Sequence, residues 1–146
     1  MRRSCSSFSY LELVLVVVIL GIMAAIAVPN LLGMEDRAKE GSTKANMHTF
    51  QLAAEQYAAQ NQGSYASTAD AIAALLPNAG DDFRNPFTRS TGKLNAWSDV
   101  AAYSATLDTG SPLRGLVAYA DSATLKYVIA GNGNSGTMSV RLFSGP

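Results

Sequence analysis

Residues 8–14, Phe8-Ser9-Tyr10-Leu11-Glu12-Leu13-Val14, begin the apolar stretch that decides the fold of this chain. Sixteen residues without a charge follow, from Leu13 to Val28. As a helix rising about 1.5 Å per residue, the segment 11–28 covers roughly 27 Å, close to the ~30 Å hydrocarbon core of a bilayer. The sequence therefore predicts a membrane or export segment near its beginning.

Three interpretations of this segment are open. Arg2 and Arg3 precede it, and positive charges before an apolar run keep the N-terminus in the cytoplasm and send the rest outward. A secretory signal is the first interpretation, with Ala25-Ile26-Ala27 as a small-residue cleavage pattern. A simple uncleaved anchor is the second. In the third, Glu12 has a function of its own within the segment.

Glu12 is the residue that the first two interpretations leave unexplained. A carboxylate at the head of an apolar run costs a few kcal/mol in lipid unless it stays at the interface or meets a cation. A cut between Ser7 and Phe8 would give Phe8 a free α-amine, one helical turn from Glu12. That amine would pair with the same chain's carboxylate or with a neighbour's. Processing would therefore permit assembly with the one axial offset between neighbouring helices that brings an amine to each carboxylate.

The two ends of the segment carry a family resemblance. Residues 8–14, followed by Gly21-Ile22-Met23-Ala24-Ala25-Ile26-Ala27-Val28-Pro29-Asn30, resemble the class III signal and N-terminal helix of type IV pilins and type II secretion pseudopilins. In that family a prepilin peptidase removes a short basic leader before a Phe, which is then N-methylated. The resemblance implies a leader of residues 1–7, cleavage between Ser7 and Phe8, methylation of Phe8, and Glu12 as the residue that sets assembly register. The family usually has Gly before the cut, where this chain has Ser7.

Three further residues fit a helix that packs against other helices. Gly21 and Ala25 are small and one turn apart, which allows close contact between helices in a membrane. Pro29 removes a backbone hydrogen bond and clashes with the preceding turn, so a kink or locally unwound stretch between Gly21 and Pro29 is expected. The alternative is that Gly and Ala are simply common in membrane helices.

Beyond the apolar segment the pattern predicts a globular part, residues 30–146, after a membrane or filament-core helix over 8–29. Residues 30–60 favour helix, and Met47, Phe50, Ala54 and Tyr57 form one apolar stripe opposite Lys44, Gln51 and Glu55. Turn residues over 61–99 indicate an irregular connector, the αβ-loop of a pilin, with a short helix over 71–76.

Four strand patterns follow in the region 100–146. They cover residues 100–107, 115–120, 124–130 and 137–143, with Leu125, Tyr127 and Ile129 on one face of the third and Met138, Val140 and Leu142 on one face of the fourth. The fold class is therefore α+β. The expectation is a pilin-like lollipop whose long N-terminal helix packs by its C-terminal half on a small antiparallel sheet.

Composition excludes several other functions. The 146 residues are 48% hydrophobic with a formal net charge of zero, which argues against a disordered tail and against nucleic acid as a partner. Cys5 is the only cysteine, and His48 is the only histidine, so neither a thiolate site nor a catalytic triad is predicted. We predict no enzyme, no cofactor and no metal.

Three other groups of residues are assigned no chemistry. The major pseudopilins of type II secretion are known as a family for a calcium site in their loops. The spacing of Asp81, Asp82 and Asp121 does not reproduce a calcium-binding loop, so no ligands are assigned. The glycine-rich residues 131–136 lie between strands and form a turn rather than a phosphate cradle. Trp97 and Tyr103 are interpreted as packing residues.

The expected function is a structural subunit of a type IV pilus-like filament. Its partners would be copies of itself, prepilin peptidase, an inner-membrane assembly platform with its ATPase, and membrane lipid before assembly. The precursor would lie in the bacterial inner membrane with a cytoplasmic N-terminus, and the assembled filament at the cell surface. The alternatives are a pseudopilin that forms a piston for type II secretion or DNA uptake, and a monomeric membrane-tethered binding module.

Overall fold

A computed structural model of the protein describes residues 8–100 and 113–144. The predicted leader 1–7 and nearly all of the predicted strand 100–107, with Tyr103, lie outside the described residues. The chain divides into two compact units, Met1–Asp36 and Arg37–Pro146. Its elements are α1 (Tyr10–Gln60), α2 (Ala69–Ala73), a 3-10 turn (Pro77–Gly80), β1 (Trp97–Asp99), β2 (Val117–Ser122), β3 (Lys126–Gly133) and β4 (Gly136–Phe143). The α+β class is confirmed.

Helix α1 runs for 51 residues and ends where the sequence predicts. Gly63 has φ +87°, a left-handed conformation that glycine adopts without steric cost. Its amide donates to the carbonyl of Ala58 at 2.8 Å, which closes the last turn. The predicted end of the helix at residue 60 is thus confirmed in the second unit.

The sheet is mixed, whereas a wholly antiparallel sheet was expected. Its order is β1-β2-β3-β4, with antiparallel pairing of β2 with β3 and of β3 with β4. Strand β1 pairs parallel to β2, with Trp97 opposite Val117. The sequence interpretation had assigned β1 to the irregular connector. A parallel pair requires a crossover of a dozen or more residues, and residues 100–116 separate the two strands.

The predicted apolar stripe of α1 forms one side of the core. Met47, Phe50 and Ala54 are buried and Tyr57 is partly buried. Phe50 contacts Tyr119 of β2, with 6.2 Å between ring centroids, and Phe83 of the connector at 5.8 Å. The C-terminal part of α1 therefore packs on one face of the sheet, which covers the stripe.

Two strand predictions are wrong in detail. Leu125 precedes β3 in a turn and is 75% exposed, so Tyr127 and Ile129 pack against α1 from that strand without it. Val128 and Ala130 of the same strand are buried in a second cluster, with Ala118 and Ala120 of β2. In β4 the pairing with β3 shifts between Ala130 and Asn132. A bulge of this kind disrupts strict alternation, and Val140 is exposed while Met138 and Leu142 remain packed against the core.

Glu55 of α1 is exposed, as predicted, and its carboxylate also bonds two tyrosine side chains. The Tyr127 hydroxyl donates to its Oε1 at 2.6 Å, and the Tyr65 hydroxyl donates to its Oε2 at 3.3 Å. Burial raises the pKa of Tyr127, and the hydrogen bond to Glu55 raises it further. Its long side chain lets Glu55 stay on the exposed side of the helix while its carboxylate reaches these two hydroxyls.

The connector is ordered by one buried asparagine. Asn85 donates through Nδ2 to the carbonyls of Asn95 and Arg114, both at 2.8 Å. Its Oδ1 accepts from the amides of Phe87 at 2.9 Å and Thr88 at 3.3 Å. All four bonding positions of the side chain are used, which is what a buried amide requires. Asn85 thus ties the turn 85–89 to the start of β2.

The short helix and β1 are joined by polar contacts. Helix α2 begins two residues earlier than predicted, with the Thr68 hydroxyl accepting from the amide of Ala71 at 3.3 Å. The Asp70 carboxylate accepts from the Trp97 indole at 3.1 Å and also pairs with Lys93. Lys93 lies 3.0 Å from Asp99 as well. The hydrogen bonds from Lys93 and Trp97 lower the pKa of Asp70.

Candidate functional site

The candidate site is the beginning of α1, the segment that contains Phe8, Ser9 and Glu12. Ser9 precedes the helix, and its carbonyl accepts the first helical hydrogen bond, from the amide of Leu13 at 3.2 Å. The Ser9 amide donates to Glu12 Oε2 at 2.9 Å. Glu12 therefore satisfies one of the amides that a helix N-terminus leaves unpaired, and its negative charge lies at the positive end of the helix dipole.

This helix-capping role of Glu12 is absent from the sequence interpretation, although the signal is visible in the sequence. Ser9-Tyr10-Leu11-Glu12 matches the S-x-x-E pattern in which a glutamate at the third helical position reaches back to the residue that begins the helix. Glu12 remains exposed, and so does Phe8. The peptide bond between Ser7 and Phe8 lies at the edge of the described residues, so cleavage there stays a prediction.

The helix beyond Glu12 exposes apolar side chains on every side. In the most apolar window of α1 none of the residues is buried. A helix that is apolar all round belongs in a hydrophobic environment, either lipid or a bundle of similar helices. Among the described residues, α1 is the one helix that is both long enough and apolar enough to cross a membrane, although a signal sequence passes the same test. Between residues 11 and 34, the large apolar side chains more than half exposed are those of Leu11, Leu13, Leu15, Val17, Val18, Leu20, Ile22, Met23, Ile26, Val28, Leu31, Leu32 and Met34.

Gly21, Ala25 and Pro29 all lie within this exposed part of α1. A Cβ atom added to Gly21 would meet nothing within 4 Å, so its surface is open to a partner. Residues 10–60 are helical throughout, and the locally unwound stretch between Gly21 and Pro29 is not formed in this chain. Because Pro29 has no amide hydrogen, the carbonyl of Ala25 lacks its usual helical donor. The packing and kink roles of these residues stay predictions.

The other polar residues that were candidates from the sequence make contacts within the fold. The His48 ring lies 3.4 Å from Gln51 on the exposed side of α1. Asp121 accepts from the amide of Thr124 at 3.3 Å in the turn between β2 and β3. Over residues 8–100 and 113–144 there is no group of three or more His, Cys, Asp or Glu side chains placed to hold a metal ion.

The glycine-rich residues 131–136 form the end of β3 and the turn into β4, as predicted for a hairpin. The amide of Asn134 donates to Glu40 Oε1 at 2.8 Å, which fixes this turn to α1. Gly131 and Gly133 lie so close to the helix side chains that an added Cβ would come within 2.7 Å of Met47 Sδ and of Glu40 Oε1, respectively. These glycines allow close packing of the hairpin on α1.

Comparison with curated proteins gives one consistent set of relatives. The chain is 37% identical over 75 residues to the type II secretion system core protein G of Pseudomonas aeruginosa, covering 51% of this chain and 52% of the relative. It is 33% identical over 86 residues to that of Aeromonas hydrophila, covering 58% and 59%. It is 35% identical over 74 residues to that of Vibrio cholerae, covering 51% and 50%.

The chain spans about half the length of the curated relatives it matches. No family model matches the chain, and no solved structure matches it. The relatives are named for a secretion apparatus and not for a reaction, which supports the prediction that the chain is not an enzyme. These relatives confirm the resemblance, first indicated by the N-terminal motif, to the family of type IV pilins and type II secretion pseudopilins.

Proposed function

We propose that the chain is a pseudopilin, a structural subunit of the periplasmic filament of a type II secretion system. The sequence alone had favoured an extracellular pilus and kept the pseudopilin as the alternative. The relatives named core protein G support the alternative. The single observation that carries a filament role is the apolar part of α1, which is exposed on all sides in the isolated chain.

Assembly follows from the chemistry at the start of that helix. Cleavage between Ser7 and Phe8 by prepilin peptidase would give Phe8 a free amine, which N-methylation leaves basic. The Ser9 amide already occupies one oxygen of Glu12, at 2.9 Å. The other oxygen is then the acceptor for an ammonium group, from the same chain or from the next subunit. A staggered neighbour that supplies this ammonium relieves the cost of a carboxylate in an apolar bundle.

Before assembly the same helix would hold the precursor in the inner membrane, with the second unit on the periplasmic side. The apolar side chains then pass from lipid to a bundle of identical helices. Transfer between two apolar environments gains little hydrophobic energy, so close packing at Gly21 and Ala25 and the pairing of Glu12 favour the filament. The partners of the proposal are further copies of this chain, prepilin peptidase and the inner-membrane assembly platform with its ATPase.

The test is deletion of the gene in its native host, followed by complementation. We expect secreted enzymes to accumulate in the periplasm of the deletion strain and to return to the medium when the wild-type chain is supplied. Surface pili should be unchanged. Normal protein secretion together with the loss of surface filaments or of twitching would contradict the proposal and favour the extracellular pilus.

A further inference from the structure

The turn between β2 and β3 holds an apolar side chain out in solvent. Leu125, the last residue of this turn, is 75% exposed. The two residues before it, Ala123 and Thr124, have φ values of +49° and +62°. This conformation is uncommon outside glycine and is least favourable for a β-branched side chain such as that of threonine. A strained backbone persists only where surrounding contacts hold it, and such strain is concentrated at functional positions.

Hydrogen bonds hold this turn in place. The Leu125 amide donates to the carbonyl of Ser122 at 3.0 Å. The Thr124 amide donates to Asp121 Oδ2 at 3.3 Å. The Thr124 carbonyl accepts from the amide of Tyr65 at 2.8 Å, which ties the turn to the segment after α1. The Leu125 side chain is therefore presented on a fixed backbone, which reduces the ordering cost of any contact that it makes.

A groove on the second unit is lined mainly by apolar side chains. It has a volume of about 290 Å³ and is lined by Thr49, Leu52, Ala53, Gln56, Leu75, Leu76 and Pro77. A smaller cavity of about 140 Å³ shares Thr49 and Pro77 with it and is also lined by Asn46, Asp82 and Phe83. We call the two together the α1 groove. Because Leu125 is exposed, it does not fill the α1 groove of its own chain.

The turn also presents a positive charge. Lys126 follows Leu125 directly, is exposed, and forms no ion pair within residues 8–100 and 113–144. Asp121 is the acidic residue of the same hairpin. It lies opposite Tyr127, whereas Lys126 lies opposite Ser122, and neighbouring positions of a strand point to opposite faces. Lys126 and Asp121 therefore project from different faces of the hairpin.

The α1 groove carries the opposite charge at one end. Asp82 lines its smaller cavity, and Asp81 beside it is exposed. Arg84 is the basic residue nearest to them in the sequence, so two carboxylates against one guanidinium leave an excess of negative charge. Neither carboxylate forms an ion pair in the part of the chain that the structure describes. A leucine followed by a cation thus matches an apolar groove that ends in carboxylates.

We propose that Leu125 of one copy of this chain inserts into the α1 groove of a second copy, with Lys126 beside Asp82 of that copy. The two surfaces differ, so the contact is heterologous and repeats from copy to copy in an open polymer. One leucine and one ion pair bury too little surface for a stable dimer, but a filament already holds its copies at high local concentration. This inference rests on the filament of the proposed function and adds a contact between second units.

The test is disulfide formation between two tagged forms of the full chain, expressed together in a host that lacks the wild-type gene. In both forms Cys5, the only cysteine, is changed to Ser. One form carries Ala123→Cys in the exposed turn, and the other carries Thr49→Cys in the α1 groove. The control pair combines Thr49→Cys with Ser90→Cys, at another exposed position. We expect roughly tenfold more mixed disulfide in filaments of the test pair, because a disulfide requires Cα atoms within about 7 Å.

Further substitutions in the test pair separate the apolar contact from the charge. Leu125→Ser in the form with Ala123→Cys should lower the yield of mixed disulfide about fivefold, because it removes the side chain that the groove would bury. Leu94→Ser, which changes another leucine that is 69% exposed, is the matched control and should leave the yield unchanged. Lys126→Glu should lower the yield about threefold, and Asp82→Lys in the other form should restore it.

The outcomes distinguish this contact from the filament itself. Filaments with equal yields of mixed disulfide in the test and control pairs would contradict this inference alone, as would equal effects of Leu125→Ser and Leu94→Ser. Loss of secretion in Leu125→Ser with an unchanged disulfide yield would assign Leu125 to a different protein and exclude a second copy. Absence of filaments from the wild-type chain would contradict the proposed function. Fluorescence of Trp97, buried in the core of the second unit, checks that each purified variant is folded.

Discussion

The two parts of helix α1 differ in what covers their apolar side chains. Both are rich in apolar residues, but residues 11–34 are exposed on all sides and the stripe from Met47 to Ala58 is covered by the sheet and connector. The second part has its partner within the chain. The first part has none among the described residues and requires lipid or other helices. The buried core of the described residues thus lies in the second unit, whereas the proposed assembly would use the exposed first part.

Glu12→Ala should produce the largest effect of any single change, because it removes the carboxylate proposed to pair with a neighbour's terminus. We expect the variant to insert in the membrane and to form no filaments. Trp97 fluorescence should be unchanged, since folding of the second unit does not use Glu12. Filament yield by electron microscopy and carbonate-resistant membrane association are the measurements.

Glu12→Gln separates the two roles of this side chain. Glutamine still accepts a hydrogen bond from the Ser9 amide but carries no charge. We expect it to behave like Glu12→Ala in assembly. Normal filaments from the glutamine variant would mean that helix capping, and not charge pairing, is what assembly requires.

Phe50→Ala should have the opposite pattern, with damage to folding. Phe50 is fully buried between Phe83 and Tyr119, and truncation of such a ring costs about 3–5 kcal/mol. Leu52→Ala, two residues along α1 and 72% exposed, is the matched control and should cost less than about 0.5 kcal/mol. Urea unfolding of the detergent-solubilised chain, followed by Trp97 fluorescence, measures both. Equal effects would mean that the covered stripe is not the core.

Gly115→Ala tests the close approach at the connector. Gly115 has φ +80°, and an added Cβ would lie 2.2 Å from Asn85 Oδ1. Gly92 has φ +87° with nothing within 4 Å of an added Cβ, so Gly92→Ala isolates the backbone cost of about 1 kcal/mol. Gly115→Ala should cost at least about 2 kcal/mol more, because it displaces a buried amide. A difference near zero in the same urea assay would show that Asn85 moves freely.

The smallest expected effect concerns Asp70 and pH. Its pKa is lowered in the folded chain by the hydrogen bonds from Lys93 and Trp97. A carboxyl with a lowered pKa stabilises the fold above its unfolded pKa, near 4, and this contribution is lost as the pH falls through the folded value. Asp70→Asn should therefore flatten the decline of stability below pH 4 slightly. A decline below pH 4 that is identical in Asp70→Asn and in the wild-type chain would contradict the assignment.

Much of the fold could be predicted from the sequence where the pattern was periodic. The stripe Met47, Phe50, Ala54 and Tyr57, the end of α1 at Gln60 and the three later strands all follow from helix or strand spacing. The parallel strand β1 was missed because three residues, Trp97 to Asp99, are too few to show a period. Its pairing depends on contacts with residues distant in the sequence.

The candidate site was also predictable only in part from the sequence. The apolar segment and the isolated Glu12 were predictable because a charge in such a run is rare. The role of Glu12 in capping was readable from the Ser9 spacing but needed the structure to show it. Asn85 and Glu55 carried no sequence signal, since their importance comes from partners such as Arg114 and Tyr127 that lie far away in the chain.

The most direct test of the account is the intact mass of the chain in purified native filaments. A subunit that begins at Phe8 and carries one N-terminal methyl group is expected, because only the cut chain has its terminal amine one helical turn from Glu12. A subunit that begins at Val28 would indicate ordinary secretion. Assembled filaments whose subunits retain residues 1–7 would contradict the central claim.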